Sequence, residues 1–443
     1  MIMRKPMQIL AASIAWVGMA GCAVQSTGGE YASDALRERT GIEAGDPAAE
    51  QFVMPSAVAL DDGLTEDEAV ALALTNNPEF KAQLASLDVS SADVVRARMI
   101  PNPSLSAVLG SSWEATLTFP FDFLWKRQGR IKEAEAIHAS RVQQAIQSGL
   151  DLVLNVRLAH IGTALAERQL ELAEATAARA TRVNRIAESR RVAGDASGLE
   201  VSTTTAEAAV ATQDRMRARL QLDAARLVLR RLCRLDDAAW NGVLTTSAVP
   251  IAAAVDSDRL IRLARENRAD VRAAGLDLEA AGARMGLART EAFSFAAGAK
   301  ATEGNDGSTV APAFALTLPV FNRGQADVMA AQGRLQAAAQ LYQARLDQTA
   351  LDVRESAARL TTEAGSVQGW REAIVHELED ALARSERAYM AGDVPYLTVL
   401  DALRRVVEGR RALAEAEASV QRAAATLAHH VGGEAVVAGG NAR

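Results

Sequence analysis

The chain has 443 residues, a formal net charge of −7 and only two cysteines, Cys22 and Cys233. That length accommodates about two or three domains. With only 4% aromatic residues, and with long proline-free tracts rich in Ala, Leu, Arg, Glu and Gln, it suits helices packed along a seam better than a thick globular core. The acidic balance argues against nucleic acid as a partner, and two cysteines exclude a disulfide framework.

Residues 1–21 read as a secretory signal peptide. Arg4 and Lys5 form a basic start, and the apolar run 7–20 is too short to span a bilayer as a helix. It ends at Met19-Ala20-Gly21-Cys22, which resembles the lipobox of bacterial lipoproteins, with Met19 where leucine is usual. The resemblance implies a lipid on Cys22 and, because Ala23 follows it, sorting to the outer membrane. The alternative is an ordinary signal peptide with a chance cysteine. Removing Arg4 and Lys5 takes the formal charge from −7 to −9.

Residues 22–63, rich in Gly, Ser, Ala, Asp and Pro, are expected to form a mostly irregular arm leading away from the lipid. A first repeat spans 64–235. Thr65 and Glu68 make a capping-box pattern at the start of a helix that runs to Asn76-Asn77-Pro78. A second helix covers 78–99 and stops at Ile100-Pro101-Asn102-Pro103. The period then changes: within 103–121, apolar and small polar residues alternate in two strands joined by Gly110-Ser111-Ser112. Trp113, Phe119, Phe121, Phe123 and Trp125 crowd their flanks as a membrane-interface girdle would, the alternative being a soluble hairpin packed on helices. From Gly129 to Arg191 the helical pattern is nearly unbroken, a length of roughly 90 Å that suits coiled coils and tubes. A turn at 193–199, Ala193-Gly194-Asp195-Ala196-Ser197-Gly198-Leu199, reverses the chain into a further helix.

A connector over 236–257 leads to a second repeat, 258–433, with the same order. Its first helix carries Asn267 where the first repeat has Asn76. Strands follow within 292–319, interrupted by Gly304-Asn305-Asp306-Gly307 as an external loop. Pro312 is expected at a strand start or a bulge. From Gly324 one long helix carries Ala339, Tyr342, Leu346, Ala350, Val353, Ala357, Leu360, Ala364 and Val367 at alternating steps of three and four. It ends in a second turn at 391–397, where Gly392 stops one helix, and Asp393 and Pro395 are placed to start the next. Residues 434–443 read as a flexible tail.

No phosphate loop, His-Glu-x-x-His, Cys-x-x-Cys or nucleophile motif stands out, so no catalytic, cofactor-binding or metal-ligating residue is assigned. His138, His160, His376, His429 and His430 are scattered and read as surface or packing residues, and Cys233 as a buried, inert thiol.

The duplicated order resembles the outer-membrane efflux channel family typified by TolC, over essentially 64–433. The carrying residues are Asn76-Asn77-Pro78, Ile100-Pro101-Asn102-Pro103, Leu318-Pro319-Val320-Phe321-Asn322-Arg323-Gly324, and Tyr389-x-x-Gly392 with Leu397-x-Val399-Leu400-Asp401-Ala402. The resemblance implies a mainly α fold with a small membrane β-barrel. In that family a homotrimer closes twelve strands in the outer membrane, and its helices form a periplasmic tube. It further implies a passive conduit, no enzyme, that docks a periplasmic adaptor bound to an inner-membrane pump of the RND type. Carried over by position, Gly194, Asp195, Gly198 and Leu199, with Gly392, Asp393, Pro395 and Leu397, become the gate and adaptor-docking set. Asp195 and Asp393 would form an acidic ring, or else merely cap their helices. The segments Pro101-Asn102-Pro103-Ser104-Leu105-Ser106 and Phe123-Leu124-Trp125-Lys126-Arg127 look more like the heavy-metal branch than the multidrug branch. A type I protein-secretion conduit, or a periplasmic coiled-coil lipoprotein scaffold without a barrel, remains open at this point.

Overall fold

A computed structural model describes residues 28–42, 51–56, 58–60, 62–109, 113–236, 240–245, 256–304, 307–391 and 393–433. Cys22, the Gly110-Ser111-Ser112 turn, Asn305, Asp306, Gly392 and the tail lie outside them.

Within the arm expected to be irregular there is a helix, α1 (Gly28–Thr40), whose Ala32 and Leu36 are fully buried. Its sequence is a weak helix former on its own. It is held by tertiary packing: Leu36 fits over Gly149, where an added Cβ would sit 2.5 Å from Leu36 Cδ1.

The capping box forms as expected. Glu68 N–H donates to Thr65 Oγ1 (3.3 Å) and Thr65 N–H to Glu68 Oε2 (2.9 Å), opening α2 (Glu66–Asn76). Asn77 closes α2 and opens α3 (Pro78–Arg98), its Oδ1 accepting from the N–H groups of Glu79 and Phe80. The second repeat turns the same corner between α6 (Ser257–Asn267) and α7 (Ala269–Glu291). The corner residue there is Arg268, with φ −62° and ψ 129° against −65° and 121° at Asn77. The backbone thus turns in the same way at both corners.

The long helices frame the molecule. α4 (Phe123–Ala193) runs for 71 residues, starting earlier than expected, and pairs with α5 (Gly198–Cys233). In the second repeat, α8 (Gln325–Gln368) is followed by a seven-residue π-helical segment (Gly369–Val375), α9 (His376–Ala391) and α10 (Tyr396–Val431). The single helix expected from Gly324 to Gly392 is therefore interrupted by a wider turn. Of its apolar seam, Ala350, Val353, Ala357, Leu360 and Val367 are buried against α6 and α10, whereas Ala339 is exposed and Tyr342 and Leu346 only half-buried. A short parallel bridge, Leu64 to Leu244, returns the connector to the start of the first repeat.

Four strands form one antiparallel sheet in the order β1 (Ser104–Leu109), β2 (Trp113–Pro120), β3 (Phe295–Gly304), β4 (Gly307–Leu316). Pro312 is not at a strand start. It lies inside β4, opposite Ala299, in the strand that forms the sheet's edge within this chain. The strands run up to Gly304 and Gly307, which pair with each other; Asn305 and Asp306 of the expected external loop lie outside the described residues.

Candidate functional site

The register of the sheet sorts its residues onto two chemically different faces. Leu105 pairs with Leu117, Ala107 with Ala115 and Leu109 with Trp113. On the same side, Phe119, Ala297 and Phe314 line up, as do Ala301 and Val310. On the opposite side Ser106 meets Thr116 and Lys300, and Thr118 meets Ser104 and Gly298. Glu114 and Lys300 form an ion pair there at 2.8 Å. The apolar face is open in the single chain: Leu105 is 65% exposed and Phe314 71%. An apolar band on one face and charged and hydroxyl groups on the other is the pattern of a barrel wall with lipid outside and water inside. The outer edges of β1 and β4 have no partner strand within the chain. In hydrocarbon such edges must be paired, and an even number of alternating strands lets β4 of one copy meet β1 of the next in antiparallel fashion.

The aromatic residues gather mostly at one end of this wall. Phe121 lies 5.4 Å from Phe119, 6.3 Å from Phe123 and 6.1 Å from Phe295 between ring centroids, at the junction of strands and long helices. Trp113 is at the other end of β2, and Trp125 is 40% exposed on the first turn of α4. Phe295 joins the cluster without having been singled out by its motif; the signal was its position at the start of a strand.

At the far end of the helices the two turns lie side by side. Gly194 adopts φ 88°, a left-handed conformation that ends α4 with its N–H on Arg191 O (3.0 Å). Asp195 N–H bonds Arg190 O at 2.8 Å, and Asp393 N–H bonds Ala388 O at 2.9 Å, so the two aspartates occupy equivalent places. Neither caps the next helix, which corrects that alternative. Ser197 Oγ accepts from Glu200 N–H at the head of α5, and Pro395 opens α10 with no side-chain cap. A hydroxyl two residues on is better placed for the free N–H groups than Asp195. Both aspartates are exposed. Gly198 opens α5, and Leu199 and Leu397 are 77% and 64% exposed.

Arg190 joins the two turns, a role no motif announced. Its Nη1 donates to Glu200 Oε1 (3.2 Å) and to the Tyr389 hydroxyl, and its Nη2 to Asp195 O (3.1 Å). The guanidinium also lies over the Tyr389 ring at 5.7 Å, and Tyr389 packs edge-on against Tyr396 at 5.6 Å. Burial, followed by the neighbouring Tyr389, pushes the Tyr396 hydroxyl above its ordinary range. Further back, Arg179 pairs with Glu386 and Arg404 with Glu207, each linking the first helical hairpin to the second. The only sequence signal for Arg190 was a basic residue in the last turn of a helix.

Cys233 and four of the histidines are engaged in contacts within the fold. Cys233 donates to Ala69 O at 3.3 Å, and burial pushes its thiol up to about 12. His138, His160, His429 and His430 bond Ser90, Leu64 O, Asp151 and Asp352 O respectively. Among the described residues no group of three or more His, Cys, Asp or Glu side chains is arranged to hold a metal ion. Nor is any described helix long and apolar enough to cross a membrane.

Comparison with known proteins agrees with this architecture. The chain is 26% identical over 364 residues to the cobalt-zinc-cadmium resistance protein CzcC of Cupriavidus metallidurans, covering 78% of this chain and 85% of that protein. Its fold superposes on CusC with a TM-score of 0.72 at 19% identity, covering 88% of this chain and 97% of that one. On the outer membrane protein VceC of Vibrio cholerae the TM-score is 0.70 at 19% identity, covering 83% and 96%. Residues 69–233 and 260–433, one span in each repeat, match the family described as outer membrane efflux protein. The chain belongs to that family, and is an outer-membrane efflux channel with the TolC-like fold and a long periplasmic helical part.

Proposed function

We propose that this channel is the exit duct of a tripartite system that expels heavy-metal cations, and that it works as a homotrimer. An inner-membrane RND-type pump and a periplasmic adaptor would deliver the cargo. The observation that carries the cargo class is the similarity to CzcC across most of both chains. A water-filled duct need not bind its cargo, so the acidic Asp195 and Asp393 act by their field: repeated around a ring they favour cations and repel anions. The exposed apolar Leu199 and Leu397 beside them offer the adaptor a docking edge. Gly194, Gly198 and Pro395 shape those turns, Gly392 belongs to the same docking set by its sequence position, and Cys22 anchors the chain to lipid.

Three copies place twelve strands in one ring, enough to leave an aqueous lumen, where a single four-stranded sheet cannot close. The test is complementation of a strain that retains pump and adaptor but lacks its exit duct. Restored tolerance of cobalt, zinc and cadmium is expected, together with reduced cation selectivity in planar bilayers for the double variant Asp195→Ala, Asp393→Ala. Restored tolerance of organic drugs alone would refute the cargo class, and unchanged selectivity would refute the acidic ring.

A further inference from the structure

Where α1 crosses the long helices, it forms with α4 and the α6–α7 corner a partly open cavity of about 230 Å³, lined among others by Tyr31, Glu38, Arg39, Gln143, Asn267 and Arg272. Two of these polar side chains are more than nine-tenths buried, Arg39 at 8% exposure and Gln143 at 7%. Each has an atom left over: Arg39 Nη1 and Gln143 Oε1 have no hydrogen-bond partner among the described residues. Arg272 adds a second cation from the opposite wall, where its Nε is held by Glu266 O at 3.0 Å. Burial, and after it the charge of Arg272, depresses the Arg39 guanidinium below its ordinary range. Glu38, the carboxylate at the rim, is exposed and acts more weakly on Arg39 than Arg272 does.

A buried guanidinium with a free N–H beside a second cation is costly unless an anion completes it. We infer that this cavity is a binding site for an oxyanion, a phosphate or carboxylate group held between Arg39 and Arg272. Gln143 serves the same ligand, since exchanging its amide oxygen and nitrogen turns the unpaired atom into a donor. The position excludes a lipid headgroup: Gln143 lies roughly 30 Å along α4 from the barrel junction at Phe123. The anion therefore comes from solution, or is an acidic side chain of another copy. Either way it fastens α1 to both repeats, because Arg39 is also in close backbone contact with Gly433, beyond α10.

The full-length detergent-solubilised protein is titrated with inorganic phosphate by calorimetry, against chloride at matched ionic strength. Phosphate binding is expected. Arg272→Gln, an exposed position that does not threaten folding, should weaken it about tenfold, the loss typical of one charged hydrogen bond. Arg39→Gln should weaken it further. Absence of phosphate binding, with both variants loosening copy-to-copy association in native mass spectrometry, identifies a carboxylate of another copy as the occupant. Absence of phosphate binding with association unchanged overturns the proposal, as does phosphate affinity that Arg272→Gln leaves intact.

Discussion

Tyr389→Phe removes one hydroxyl from the junction of the two turns and leaves its ring in place against Tyr396 and beneath the Arg190 guanidinium. What is lost is the charged hydrogen bond from Arg190. In a buried site such a bond contributes about 1.5–3 kcal/mol. The Arg190 side chain is 38% exposed, so water screens and competes with it, and about 1 kcal/mol is a fairer figure. One kilocalorie shifts an equilibrium roughly fivefold. If the proposed three copies open together, the terms add to about 3 kcal/mol, on the order of 100-fold toward the state in which the second hairpin has left the first. Single-channel recording in planar bilayers measures this as open probability and conductance. The double variant Arg190→Gln, Tyr389→Phe supplies the control, because it should add little to Arg190→Gln alone if the tyrosine hydroxyl acts through that one bond. Unaltered conductance in Tyr389→Phe, or strictly additive effects, would refute the idea that this bond holds the turns together.

Arg268→Met should destabilise the protein by about 3 kcal/mol in urea or thermal unfolding. It strips the partner from Asp270 (Nη2 to Oδ2, 2.7 Å) and Asp352 (Nη1 to Oδ2, 3.0 Å) at a corner where the arginine is 7% exposed; a loss under about 1 kcal/mol would contradict that reading. Gly298→Ala should abolish the heat-modifiable, membrane-assembled form seen on gels, because a Cβ there would lie 1.8 Å from the backbone oxygen of Leu117, which cannot move aside; normal assembly would show that the strands do not approach so closely. Stability should fall as pH drops. Burial holds His138 and, over the opposing pull of Asp352, His430 below 6.5, so stability present above that value is lost on acidification. Asp151 and Asp352 add a second loss below 3.8: burial raises them, but hydrogen bonds from His429 and Gln147, and from Gln348 and Arg268, together with nearby positive charge, bring them lower overall. Glu66 and Glu133, raised by burial, run the other way near 4.5. Thermal unfolding midpoints flat from pH 7 to 5 would contradict the histidine contribution.

The parts of this architecture that local rules govern were legible before any coordinates. Thr65 with Glu68, Asn77 before Pro78, and Gly194 after a basic last turn each define a helix end through a few neighbouring atoms. Alternation in β1 and β2 gave the strands their faces. What escaped is what depends on distant chain. The helix α1 lies in a stretch that opens on two glycines and carries few large apolar residues, and it is held because Leu36 finds Gly149 more than a hundred residues on. Arg268 replaces Asn77 at an identical corner, and its value lies in Asp352, in another helix. Asp195 looked like a cap because its residue type was right; Ser197 took the role because it immediately precedes the first helical residue, Gly198. The partners of Arg190 lie on two hairpins whose adjacency no single stretch encodes.

The π-helical turn shows how a distant constraint does leave a trace, once the spacing is followed far enough. Along the second long helix the inward positions Val353, Leu360 and Val367 are seven apart, and so are Val375, Leu382 and Tyr389; between Val367 and Val375 the step is eight. A continuous α-helix would carry that extra residue as a rotation of about 100°, turning Leu382 and Tyr389 away from the seam. Widening one turn at Gly369–Val375 absorbs the residue and keeps both on the inner face. Opposite it, α10 offers Gly409, where a Cβ would come within 2.9 Å of Leu378 Cδ1, so the distorted segment can still lie close. The first hairpin needs no such device, because α4 runs unbroken to Gly194. The contact between Tyr389 and Arg190 thus rests on one extra residue several turns away.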